Sequence, residues 1–166
     1  MINAAPNLKD LPAIQNQMCF GCSSNNPSGL QMKFYGDKES VVSWVTIPEH
    51  LCGWSKMAHG GVVTTILDEI MSWSALYLLK KVIVTRTITI EFIKQVHINE
   101  ALKAEGKVLE FKSEKEAIME GFIYNDKGDI CTRSTGNFAL LKPKIAIRLG
   151  VVDEAALKDL EPVMNM

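Results

Sequence analysis

The sequence predicts an α+β fold in which a curved antiparallel β-sheet of about six strands wraps one long central helix. Three observations carry this prediction. Val62–Lys80 is too long and too apolar for a loop or a strand, so it reads as a buried helix. After it the apolar period changes from 3.6 to two and stays there through four segments. The links between those segments are short, which predicts antiparallel neighbours.

With 166 residues the chain suits one domain with a substantial core. Lys and Arg number 18 against 19 Asp and Glu, so no excess of basic charge marks nucleic acid as the main partner. Met1–Asp10 lacks the basic and apolar regions of a secretory signal, and the expected location is the cytoplasm. Thr64, Thr65, Asp68, Glu69, Ser72 and Ser74 interrupt the most apolar window, so no membrane association is expected.

Residues 1–18 are expected to form an arm, with a weak helical pattern through Leu8, Leu11 and Ile14 packed on the outside. Cys19–Gly29 is dense in turn formers and predicts a loop. Leu30–Tyr35 alternates, Gly36-Asp37-Lys38 supplies a turn and Val41–Ile47 is β-branched, which predicts a hairpin ended by Pro48. An irregular segment, Glu49–Met57, delivers the chain to a helix from about Gly60 to Lys80. Lys80 and Lys81 then complement the negative end of its dipole.

Four strands follow: Val82–Val96, Ala101–Lys112, Ala117–Asn125 and Ile130–Leu141, read as a meander with a hairpin turn at Asp126–Asp129. The main domain thus spans residues 19–142. Residues 143–166 form a tail with an amphipathic turn or two over Asp153–Leu160. One sheet covers one side of an apolar helix, so a second subunit is expected on the other side and along the open strand edges.

The candidate chemistry lies on the helix. Gly60 and Gly61 open it, where a residue without Cβ lets a ligand approach unpaired N–H groups at the positive end of the dipole; close packing is the alternative. Gly61 and Asp68 differ by only about 20° in azimuth, so they share a face two turns apart. Thr64, Thr65, Glu69 and Ser72 surround Asp68 as a narrow polar stripe. A solvated face would show Lys, Arg and Glu; small hydroxyls with acids suit a pocket in which Asp68 serves as base or nucleophile. Glu69 is the rival carboxylate. His59 is expected to fix the loop or position substrate, while His50 and His97 read as surface residues.

Cys19 and Cys22 have the spacing of a zinc knuckle, which needs two further ligands. His50 and Cys52 are the only candidates nearby in sequence, and a single residue separates them. The pair is therefore expected to be two structural loop thiols, with a redox pair as the alternative, and no metal or cofactor is expected. Cys131 reads as core. Trp54, Met71, Trp73 and Tyr77 are candidates for lining an acyl pocket, with plain core as the commoner use of such side chains.

His59-Gly60-Gly61 followed by Asp68, a helix, and a strand opening Val82-Ile83-Val84-Thr85 resembles the hotdog-fold acyl-CoA thioesterases of the phenylacetate-degradation (PaaI-like) type. The run from Cys19-Phe20-Gly21-Cys22 to Asn26-Pro27-Ser28-Gly29-Leu30 is also similar to a segment of that group. The resemblance spans about Cys19–Leu141. It implies hydrolysis of an acyl-CoA at the interface of a homodimer, often paired into a tetramer. Gly61 N–H of one subunit would polarise the thioester carbonyl, and Asp68 of the partner would attack it or activate water. Thr85 would orient that water or the acid, and His59 would brace the carbonyl site. Gly60, Thr64, Thr65, Ser72 and Glu69 would contact substrate. Lys142, Lys144 and Arg148, or Lys80, Lys81 and Arg86, are candidates for the coenzyme A phosphates. A departure from the family is Lys94-Gln95, where members often carry Arg-Pro or Lys-Pro. A non-catalytic acyl-CoA-binding protein and an enoyl-CoA hydratase or dehydratase of the same fold are the alternatives.

Two parts of this site, Gly61 and Asp68, are about 10 Å apart along one helix, from seven residues of rise. That is too far for both to touch one carbonyl, so the two halves are expected to come from different subunits.

Overall fold

The computed structural model describes residues 7–166; the first six residues of the arm lie outside that range. A seven-stranded antiparallel sheet curves around the central helix. In chain order the elements are β1 (Lys9–Asp10), β2 (Tyr35–Gly36), β3 (Val41–Thr46), α1 (Gly60–Leu79), β4 (Val82–Phe92), β5 (Ala101–Ser113), β6 (Glu116–Tyr124), β7 (Ile130–Leu141), α2 (Pro143–Arg148) and α3 (Glu154–Met164). The strand order is β1-β2-β3-β5-β6-β7-β4.

α1 is helical because its apolar residues recur on nearly every side, and burying them outweighs the modest helix propensity of its Val, Ile and Thr. Ile66, Leu67, Ile70 and Met71 are all fully buried, each worth roughly 1.5–3 kcal/mol relative to exposure. The helix can lie close to the sheet because Gly106 on β5 presents no side chain: a Cβ there would sit 2.5 Å from Ser74 Oγ and 2.6 Å from the Ile70 carbonyl. Lys80 ends the helix in the left-handed conformation, its N–H bonded to the Leu76 carbonyl. By length and composition α1 is apolar enough to cross a membrane, but most of it is buried within this domain.

Several expectations need correction. Leu30–Phe34 is not a strand of the hairpin: the Leu30 and Met32 N–H groups bond the Phe20 and Gly21 carbonyls at 2.8 and 3.0 Å, so the segment lies on the cysteine loop and only Tyr35–Gly36 reaches β3. The strand after the helix ends at Phe92 and pairs with β7, not β5. The Ile93 and Lys94 N–H groups still bond the Cys131 carbonyl on β7 at 2.8 and 2.9 Å, and residues 96–99 then pair with the segments flanking the pre-helix loop, through Ala58 N–H to Val96 O, Ile98 N–H to Lys56 O and Asn99 N–H to Ile47 O. The link is therefore a crossing, and the meander is confined to β5, β6 and β7.

The arm is not an outer helix. Leu11 and Ile14 are buried in the core, and the Leu11 N–H bonds the Phe34 carbonyl at 2.9 Å. The amphipathic turn of the tail is the longer α3, capped by Asp153, whose side chain accepts from Ala156 N–H. α3 packs on α1, and its Leu160, Val163 and Met164 join the core. Asp159 holds the arm by accepting from Gln15 N–H, Asn16 N–H and the Asn16 side chain at 2.7–3.0 Å. Part of the helix surface expected to need a second subunit is thus covered by the chain's own ends. β4, eleven residues long, remains an edge, with Arg86, Thr87, Thr89 and Glu91 exposed.

Candidate active site

The site is built on the first three turns of α1. His59 is its N-cap, in extended conformation, and its Nδ1 accepts a hydrogen bond from the Gly61 N–H at 3.0 Å. The Val62 and Val63 N–H groups bond the His59 carbonyl at 2.9 and 3.1 Å. The Gly60 N–H has no hydrogen-bond partner among the described residues, which leaves one donor of the first turn free. Gly60, Gly61 and His59 are exposed, and a Cβ added at Gly61 would stand 3.1 Å from its own capping imidazole. Beside them a cavity of about 360 Å³ opens between the helix start and the end of β4, lined by Met57, Gly60, Val63, Phe92, Ile93 and Val96.

Asp68 lies two turns on and is half-buried. Thr85, near the start of β4, donates its hydroxyl to Asp68 Oδ1 at 2.7 Å within the same chain. Burial raises the Asp68 carboxyl above its ordinary range, while the Thr85 hydrogen bond opposes that shift by favouring the charged form. One carboxylate oxygen is thereby tied down and the other is left for a ligand. Thr64 and Thr65 bond back to the Gly60 and Gly61 carbonyls at 2.9 and 3.0 Å, which satisfies their hydroxyls and smooths the face between the glycines and the acid. Thr64, Thr65, Glu69 and Ser72 are all half-buried, as expected of a polar stripe at the edge of a core.

Glu69 turns the other way. Its carboxylate Oε1 accepts from the Cys19 thiol at 3.2 Å, and the ligating atoms of Cys19, Cys22 and Glu69 all lie within 4.8 Å of one another. The neighbouring Cys22 thiol draws Cys19 down to about 5, while Cys22 itself is pushed up by Cys19 and by burial. Burial, reinforced by the charge on Cys19, lifts Glu69 to about 8. The three groups thus share one negative charge readily and a second only at a cost. Nothing in the sequence spacing ties Cys19 to Glu69, fifty residues away; only the packed loop reveals the pairing. His50 and Cys52 are exposed, and Cys19 and Cys22 find their third partner on α1.

Of the other candidates, Met71, Trp73 and Tyr77 are core, with Trp73 stacked on Phe34 at 4.3 Å, and Trp54 is 84% exposed. His97 is half-buried in the crossing link rather than on the surface. Lys81 pairs with Glu114 at 2.8 Å, Arg86 with Glu116 at 3.9 Å, and Lys80 lies over the Tyr77 ring. Lys142, Lys144 and Arg148 are exposed and have no ion pair among the described residues.

The sequence profile of the thioesterase superfamily matches residues 56–132, from the segment before α1 to the start of β7. No curated protein matches the sequence. Among solved structures, the chain is similar to the E. coli PaaI protein of the phenylacetic acid degradation operon, with TM-score 0.61 and 17% identity over 68% of this chain and 80% of that one. It is similar to a thioesterase of Haemophilus influenzae, with TM-score 0.64 and 16% identity over 73% of this chain and 85% of that one. A hypothetical thioesterase of Streptococcus pneumoniae solved with coenzyme A gives TM-score 0.58 and 21% identity over 63% of this chain and 80% of that one. The shared architecture is the hotdog fold, one long helix within a curved antiparallel sheet.

Proposed function

We propose that this chain, a hotdog-fold member of the thioesterase superfamily and so a thioester hydrolase, cleaves acyl-CoA to a free acid and coenzyme A with Asp68 as its reacting carboxylate. The observation that carries the assignment of residues is the Asp68–Thr85 hydrogen bond of 2.7 Å on a largely apolar helix. A half-buried carboxylate with one oxygen fixed and the other free is suited to take a proton from water. The water oxygen bonds to the thioester carbon, the carbonyl becomes an oxyanion, and collapse breaks the C–S bond. The proton held by Asp68 then passes to the departing thiolate. Direct attack by Asp68, through a mixed anhydride that water hydrolyses, uses the same atoms.

The oxyanion is stabilised by first-turn N–H groups, and these lie about 10 Å from Asp68 on its own helix. A dimer formed along the β4 edge supplies them from the partner helix, in keeping with an eleven-residue strand paired on one side only. Pairing of such dimers gives the tetramer. The Gly61 N–H is capped by His59, so the imidazole gives up that bond when the carbonyl arrives, and the Gly60 N–H is the donor available beforehand. The acyl chain enters the cavity lined by Met57, Val63, Phe92 and Ile93. Lys142, Lys144 and Arg148 offer unpaired positive charge for the coenzyme A phosphates.

Thiol release from a panel of aryl, short, medium and long acyl-CoAs tests this directly. Hydrolysis of at least one member, lost in Asp68→Asn with the fold intact, is the expected result. Calorimetric binding without thiol release would instead assign a binding protein, and loss of enoyl absorbance would assign a hydratase.

A further inference from the structure

Cys19, Cys22 and Glu69 take no part in the proposed hydrolysis, yet the fold assembles them closely. The loop that carries the thiols is shaped by its own bonds: Ser23 N–H to the Cys19 carbonyl at 3.3 Å, Ser23 Oγ to the Gln17 carbonyl, and Asn25 N–H to Ser23 Oγ at 3.1 Å. It closes on the acid only because residue 21 is glycine, since a Cβ there would lie 2.2 Å from Glu69 Cγ. Cys22 is buried, and Cys19 and Glu69 are half-buried.

What the cluster lacks is a cation. Glu120, the buried acid of the sheet, has Arg133 at 2.9 Å and Lys107 at 3.9 Å. Among the described residues no basic side chain pairs with Glu69. Two thiols and a carboxylate facing one another without a counter-ion are a costly way to pack a core and a suitable way to hold a metal. Ligands of one tetrahedral zinc, at about 2.0–2.3 Å from the ion, stand about 3.3–3.8 Å apart, within reach of side-chain rotation from the present separations of up to 4.8 Å.

We propose that Cys19, Cys22 and Glu69 bind a divalent ion of the zinc type, leaving its fourth position to solvent. Thiolate donors select zinc over magnesium or calcium, and binding releases the thiol protons to solvent. The ion pins the N-terminal loop to the turn of α1 that carries Asp68. Near in sequence the thiols have only His50 and Cys52 as candidate partners; the third ligand comes from the helix instead.

The test uses the full chain, reduced and stripped with chelator under anaerobic conditions, then titrated with Co²⁺. Binding of about one Co²⁺ per chain is expected, with thiolate-to-cobalt absorption in the near ultraviolet that Zn²⁺ abolishes. Cys19→Ser should lose that absorption, the near-isosteric Glu69→Gln should weaken Co²⁺ at least about tenfold, and Cys52→Ser should match wild type. Circular dichroism identifies any variant that fails to fold, and Glu69→Gln keeps the test decisive if Cys19→Ser does. No thiolate absorption in the reduced wild type, or the same affinity in Glu69→Gln, would overturn the site.

Discussion

Asp68 and Glu69 are neighbours on α1, both half-buried, yet the about 100° between them gives two different environments. Asp68 faces the edge strand and is held by one hydroxyl, with a free oxygen and an open side. Glu69 faces the N-terminal loop and is enclosed by two thiols and a glycine. The first arrangement suits a group that must exchange protons with a ligand, and the second suits one that must stay where it is. A polar stripe on a core helix is therefore not one site: each carboxylate belongs to whatever element packs against its own side.

The two acids should not be interchangeable. Asp68→Asn should lower kcat by about 10²–10⁴-fold with little change in melting temperature, the range for a missing general base. Replacing Gly61 with valine should cost about 10²–10³-fold in turnover, because the new side chain crowds the His59 ring and the donors of the first turn. Thr85→Val, which leaves Asp68 without its 2.7 Å partner, should lose roughly tenfold in kcat, and Thr85→Ser should restore most of it. On the other side, Gly21→Ala should act on stability first: overpacking against Glu69 costs about 1–3 kcal/mol, read as a lower melting temperature with turnover reduced far less than in Asp68→Asn. The smallest effect belongs to the exposed cations, where combined alanine replacement of Lys142, Lys144 and Arg148 should raise KM for acyl-CoA several-fold and leave kcat unchanged.

Legibility in the sequence followed locality. α1 and the strands from β5 to β7 announce themselves because burial imposes a period that neighbouring residues repeat. β4's partner was not legible, since a short link suggested β5, whereas backbone bonds from residues 96–99 to the flanks of the pre-helix loop carry the chain across. Leu11 and Ile14 looked peripheral because so short an arm shows no clear period; Asp159 on the distant α3 is what seats it. Within the candidate site, the spacing of Gly61 and Asp68 was visible, and Thr85 came from family resemblance. The contact of Cys19 with Glu69 was invisible because it depends on how a loop folds back on a helix.

In the proposed site the first-turn donors of one protomer serve the Asp68 of another. Co-expressing an Asp68→Asn chain with a Gly61→Val chain, separately tagged, and isolating the mixed dimer tests it. Each parent should keep about a hundredth of wild-type turnover or less, but the mixed dimer contains one site with both residues intact and one with both altered. About half of wild-type acyl-CoA hydrolysis per dimer is the predicted result, and a mixed dimer as inactive as its parents would contradict the shared site.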